Sequence, residues 1–219
     1  RVCQPGGPVA GGGQPQSLLP RCGTTLPTPW TAPMPRTHRL ISLLLTLCAL
    51  ATAPAMAQVK IEGQTFAAQA QVGDTDLKLN GVGLRAVAWL KGYAAGLYLP
   101  KKATAAADVL MMQGPKRLQL RMLQEVSTQE FIKAFDKGIK RNTPEDALPG
   151  LVDRMARFDA MLTAMGKVRK GDVVDLDFVP GKGLTMTFNG KVQGEPIPGG
   201  DLYTALLKIF IGDKPTDPE

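Results

Sequence analysis

The chain has 219 residues, with 26 lysines and arginines against 19 acids, one histidine and three cysteines. Cys3, Cys22, Cys48 and His38 all precede residue 58, so everything from Gln58 onward lacks both residue types. That excludes disulfides, thiol nucleophiles, Ser-His-Asp triads and the usual zinc, copper or haem ligation from residues 58–219. Four arginines (Arg1, Arg21, Arg36, Arg39) and no acid also precede residue 58, which leaves 22 cations against 19 acids, a net +3. So small an excess argues against a nucleic-acid partner.

Residues 1–33 are rich in Pro and Gly and show no apolar period, so no fold is expected there. Met34 is the first methionine and the expected start, with 1–33 as upstream over-translation. Residues 34–57 read as a signal peptide. Arg36, His38 and Arg39 form a basic start, residues 40–50 (LISLLLTLCAL) an apolar stretch, and Ala55-Met56-Ala57 a small-x-small cleavage site. Eleven residues are too few to span a bilayer, so no stable membrane insertion is expected after cleavage. The expected location is exported, in the periplasm, with residues 58–219 as one monomeric domain.

Residues 59–72 predict one or two strands, broken at Gly63 and Gly73-Asp74. Strands over 77–90 and 93–99 follow, with Lys91-Gly92 as the turn. A short helix is expected over 104–112 and a half-buried strand over 117–124, where Leu118, Leu120 and Met122 alternate with Gln119 and Arg121. Ser127 and Glu130 fit a capping box for a helix whose apolar stripe is Phe131, Ile132, Phe135 and Ile139. Thr143-Pro144 is expected to start the next helix, which carries Leu151, Met155, Phe158, Leu162 and Met165 and ends at Gly166.

Residues 172–179 alternate as a strand, with Val174, Leu176 and Phe178 inward and Asp175 and Asp177 on a solvated outer face. Asn189-Gly190 predicts a tight hairpin. A last helix begins near Asp201, buries Leu202, Ala205, Leu206, Ile209 and Phe210, and ends at Gly212. The fold class is α+β: a mainly antiparallel sheet with helices on one face.

Arg85 is the residue that demands an explanation. Without a bulge, alternation puts it on the face of Leu77, Leu79, Val87 and Trp89. A guanidinium among apolar side chains is costly unless paired. Either an internal acid such as Glu125 pairs with it, or it receives an anionic ligand, or it is exposed at a strand edge. An odd-length connection puts Tyr93 beside it, and a two-residue turn puts Tyr98 there. Trp89 and Phe131 read as core residues or as the lining of an acyl pocket, and the methionines from Met111 to Met186 as core filler or an adaptable cleft. No cofactor motif is read: Gly11-Gly12-Gly13 lacks the following Lys-Ser/Thr of a phosphate loop. No metal site is read either, and the lysines of 133–141 read as a solvated helix face.

The segments Gly83-Leu84-Arg85, Ala94-Ala95-Gly96-Leu97-Tyr98-Leu99 and 206–212 (LLKIFIG) resemble the chalcone isomerase superfamily, in particular its bacterial exported branch. The resemblance implies an open-faced β-sandwich with helices over a large sheet and a cleft between. Enzymatic members close a chalcone ring with an arginine, a threonine, a tyrosine, an asparagine and a polar residue of the last helix. Non-enzymatic members hold a fatty-acid carboxylate with an arginine and a tyrosine. Carried over, Arg85 matches the arginine, Tyr93 stands at the threonine position and Ile209 at the polar position. These departures point to the lipid-binding branch. The expected function is a non-catalytic exported binding protein for a fatty acid or similar amphiphilic carboxylate. The alternatives are an intramolecular lyase or isomerase of a phenolic or enone substrate, with Arg85 as its catalytic residue, and an envelope interaction domain without ligand.

Overall fold

The computed structural model describes residues 58–87 and 90–214. Two short strands, β1 (Gln58–Ile61) and β2 (Gln64–Ala67), form a hairpin of their own. It turns through Glu62 and Gly63, both at positive φ (47° and 75°), the handedness that matches strand twist in a two-residue turn. Seven further strands follow in strict chain order across one antiparallel sheet: β3 (Gln69–Val72), β4 (Thr75–Val87), β5 (Leu90–Leu99), β6 (Lys116–Met122), β7 (Val173–Val179), β8 (Gly183–Phe188) and β9 (Lys191–Ile197). Helix α1 (Ala106–Met111) joins β5 to β6. Helices α2 (Thr128–Asn142) and α3 (Val152–Met165) lie between β6 and β7, and α4 (Asp201–Ile211) closes the chain.

The helices share one face of this curled sheet, as the apolar stripes require. Leu118, Leu120 and Met122 of β6 and Val174 and Leu176 of β7 point at Phe131, Phe135 and Ile139 of α2, Phe158 and Leu162 of α3, and Leu202 and Leu206 of α4. Ser127 Oγ accepts from Glu130 N–H at 3.2 Å, the cap its sequence position predicts. Asn189 and Gly190 take positive φ (49° and 79°) and close β8 onto β9. On the opposite face, the β1–β2 hairpin lays Phe66 on the sheet beside Leu77, Leu79, Ala94 and Tyr98. The fold class is the one the residue pattern predicts. Among the described residues, no helix is long and apolar enough to cross a membrane. The signal peptide expected over 34–57 lies outside the described residues.

Four local expectations are corrected. Residues 58–72 make three strands, because Ala68 bends between β2 and β3. The helix expected from Thr143 starts at Val152: residues 145–147 are a turn and 148–151 a short 3₁₀ helix. Pro149 lacks the N–H an α-helical turn would use there. Lys91 and Gly92, expected as a turn, belong to β5, which begins at Leu90, while β4 ends at Val87. Asp175 and Asp177 are not solvated. Their side chains are 14% and 10% exposed: Arg117 of β6 pairs with Asp177, and Gln119 and Thr187 hold Asp175.

Candidate functional site

The register of β4 against β5 decides where Arg85 points. Leu79 pairs with Tyr98, but Gly81 pairs with Leu97, so Asn80 is an extra residue in β4. The Asn80 carboxamide oxygen accepts from Ala103 N–H at 2.8 Å and fixes the bulge. Before it, Leu77 and Leu79 face the hairpin side with Phe66. After it, Gly81, Gly83 and Arg85 stand opposite Leu97, Ala95 and Tyr93, on the helix side. The face expected to hold Leu77, Leu79 and Arg85 together is thus split by one residue. A second irregularity follows Arg85, where Ala86 pairs with Lys91 and Gly92 is the extra residue.

Between this part of the sheet and α4 lies a cleft of about 370 Å³. Its floor is Gly81, Gly83, Ala95, Leu97 and Leu118, and its far wall is Leu207, Ile209, Phe210 and Ile211. The two glycines create the space. A Cβ built on either meets nothing within 4 Å, and neither has positive φ. Arg85 and Tyr93 stand at one end, directly across the ladder from each other. Tyr93 stacks on Phe131 of α2 (centroids 5.9 Å, planes 17° apart) and meets Phe210 of α4 at 6.4 Å. From Gly81 to Arg85 the strand advances about 13 Å. The arrangement offers an apolar trough with a planar cation and an aromatic ring at one end, suited to a molecule with an apolar body and one anionic tip.

The other expected site residues divide. Ile209 lines the cleft and is buried. It reaches so far toward α2 that a Cβ on Gly138 would lie 2.9 Å from its Cδ1. Tyr98 is not beside Arg85: the bulge leaves it on the hairpin side, fully buried, where desolvation raises its hydroxyl pKa above 10.0. Trp89 lies outside the described residues. Phe131 is a core residue that touches the site through Tyr93. Glu125, the internal acid considered for Arg85, pairs with Lys167 at 3.0 Å.

One polar constellation has no counterpart in the sequence reading. On the hairpin side, Arg117 donates two hydrogen bonds to Asp177 (2.7 and 2.6 Å) and lies 3.9 Å from Asp175. Gln119 donates to Asp175 at 2.8 Å and accepts from Arg121 at 2.9 Å, while the Arg121 guanidinium sits 5.3 Å from the Phe66 ring centroid. Burial pushes the Asp177 carboxyl up, against the pull of Arg117. The ladder pairs Arg117 with Asp177 and Gln119 with Asp175, so strand register alone assembles this network. Alternating polar residues on both strands were the available signal. Among the described residues, no group of three or more His, Cys, Asp or Glu side chains is placed to hold a metal.

Residues 58–219 match the family model described as chalcone isomerase-like. This chain belongs to the chalcone isomerase-like family. No curated protein sequence matches it. Among solved structures, a fatty-acid binding protein of Arabidopsis thaliana superposes with a TM-score of 0.60 at 18% identity, over 74% of this chain and 92% of that one. At that identity the likeness establishes the shared fold.

Proposed function

We propose that this protein is a non-catalytic, exported binding protein for an amphiphile with an anionic head, a fatty acid or similar carboxylate. The observation that carries the reading is the bare-floored cleft ending at the Arg85–Tyr93 pair. At roughly the 30 Å³ a water molecule occupies in the liquid, the cleft seats about a dozen methylene-sized groups. Each methylene buried contributes about 0.8 kcal/mol, so chain length governs affinity until the cleft is full. The Arg85 guanidinium and the Tyr93 hydroxyl receive the carboxylate. The likeness to a fatty-acid binding protein of Arabidopsis thaliana supports the ligand class, and the charge and length pattern of residues 34–57 supports export.

Calorimetric titration with laurate and with dodecanol tests the reading. Wild type should prefer the acid by about 10- to 100-fold, the worth of hydrogen bonds to a charged group. Arg85→Ala should bind both alike. Gly83→Leu should bind neither while folding normally, because its side chain enters open space. An acid preference that survives Arg85→Ala sinks the assignment. Recovery of a mature chain beginning at Gln58 from the periplasmic fraction tests export.

A further inference from the structure

Arg85 borders a second hollow. It measures about 150 Å³ and is lined by Arg85, Ala134, Lys137, Gly138, Arg141, Asn142 and Lys214. Three elements supply its cations. Arg85 comes from β4, Lys137 and Arg141 are four residues apart on one face of α2, and Lys214 follows α4. No acid lines it. Asn142 holds the Lys214 segment in place: its amide nitrogen donates to the Lys214 carbonyl at 3.0 Å, and its oxygen accepts from Lys214 N–H at 3.2 Å.

A cation near a helix C-terminus is ordinary, and Arg141 alone would need no further account. Lys137 is mid-helix, however, and Lys214 arrives from another element. Among the described residues, neither they nor Arg141 pairs with a carboxylate, whereas Arg117, Lys133, Arg154 and Lys167 all do. Four cations around one small space repel one another, and a multivalent anion relieves that repulsion better than a single charge. At roughly 30 Å³ per water-sized group, the hollow holds about five groups, the heavy-atom count of a phosphate.

We propose that this hollow is a phosphate site, and that beside carboxylates the protein takes a second and tighter ligand class, a phosphate monoester whose chain lies in the cleft and whose dianion bridges Arg85, Lys137, Arg141 and Lys214. The chain end of this assignment rests on the cleft reading. The phosphate end stands on the cations alone.

Titrating the purified protein with dodecyl phosphate, laurate and inorganic phosphate separates the two. Dodecyl phosphate should bind roughly tenfold tighter than laurate, two extra exposed ion pairs being enough for that factor. The advantage should vanish in the Lys137→Gln/Arg141→Gln variant and shrink as salt is raised. Both side chains are exposed, so the variant should melt like wild type. Dodecyl phosphate no tighter than laurate overturns the phosphate site and leaves the cleft standing. Inorganic phosphate as tight as dodecyl phosphate overturns the bridge to the cleft. Failure of both twelve-carbon probes overturns the cleft reading and this one with it.

Discussion

Gly138→Ala should destabilise the protein, although alanine is the better helix former. The new Cβ would lie 2.9, 2.9 and 3.0 Å from Cδ1, Cγ1 and Cγ2 of Ile209. Carbon atoms rest about 3.5–4.0 Å apart, so α4 or the isoleucine must retreat by roughly 0.5–1 Å. Overfilling a core site of this kind costs about 1–3 kcal/mol. Helix propensity returns about 1 kcal/mol. The net loss is therefore about 1 kcal/mol, read as a lower urea midpoint at unchanged slope. In an Ile209→Ala background the clash is gone and the same substitution should stabilise by about 0.5–1 kcal/mol. The sign of the effect reverses across the cycle. A Gly138→Ala protein more stable than wild type, with Ile209 intact, would refute the close approach of α2 and α4 at the cleft wall.

Gly96→Ala places a Cβ 2.6 and 2.7 Å from two carbons of the buried Phe66 ring, and should lower Tm by about 3–6 °C, equivalent to roughly 1–2 kcal/mol in a domain of this size. Combining it with Phe66→Ala should erase the added loss. Asp177→Ala strands the Arg117 guanidinium with only the 3.9 Å contact to Asp175, and should cost about 3 kcal/mol by denaturant titration. The Asp159 carboxyl is pushed above 3.8 by burial and by Asp136, and its Oδ1 has no hydrogen-bond partner. Its contribution to stability is fully present below 3.8 and is lost as pH rises through the raised folded value. Asp159→Asn should therefore raise Tm at neutral pH, with the gain fading on acidification, and a constant gain at every pH would contradict the assignment.

Strands and helices with full-sized side chains were legible because their apolar period is unbroken. Leu118, Leu120 and Met122 alternate cleanly, and Phe131, Phe135 and Ile139 repeat at helical spacing, so one face of each is unmistakable. The bulge at Asn80 was not legible. The residues that follow it, Gly81, Val82 and Gly83, carry too few side chains to mark a face, and a glycine-rich strand specifies its register weakly. The choice between Tyr93 and Tyr98 therefore waited on the ladder. Asp175 and Asp177 were misplaced for a different reason. Alternation shows which side of a strand a residue takes, but not that Arg117, some sixty positions away, will pair with it. Arg85 drew notice as a charge in an apolar strand, Tyr93 as its neighbour across an odd-length connection and as the residue at the family's threonine position, and Ile209 only through the family likeness. The space they enclose comes from residues with almost nothing to read, the glycines of its floor.

A single inserted residue in β4 thus determines which compartment the second half of that strand addresses. Removing it would turn Gly81, Gly83 and Arg85 toward Phe66 and present the intervening side chains to α4, with every amino acid of the cavity except Asn80 itself still encoded. Chains of this architecture can in that way gain or lose such a cleft through one codon's insertion or deletion, and a comparison confined to aligned lining positions would overlook the event.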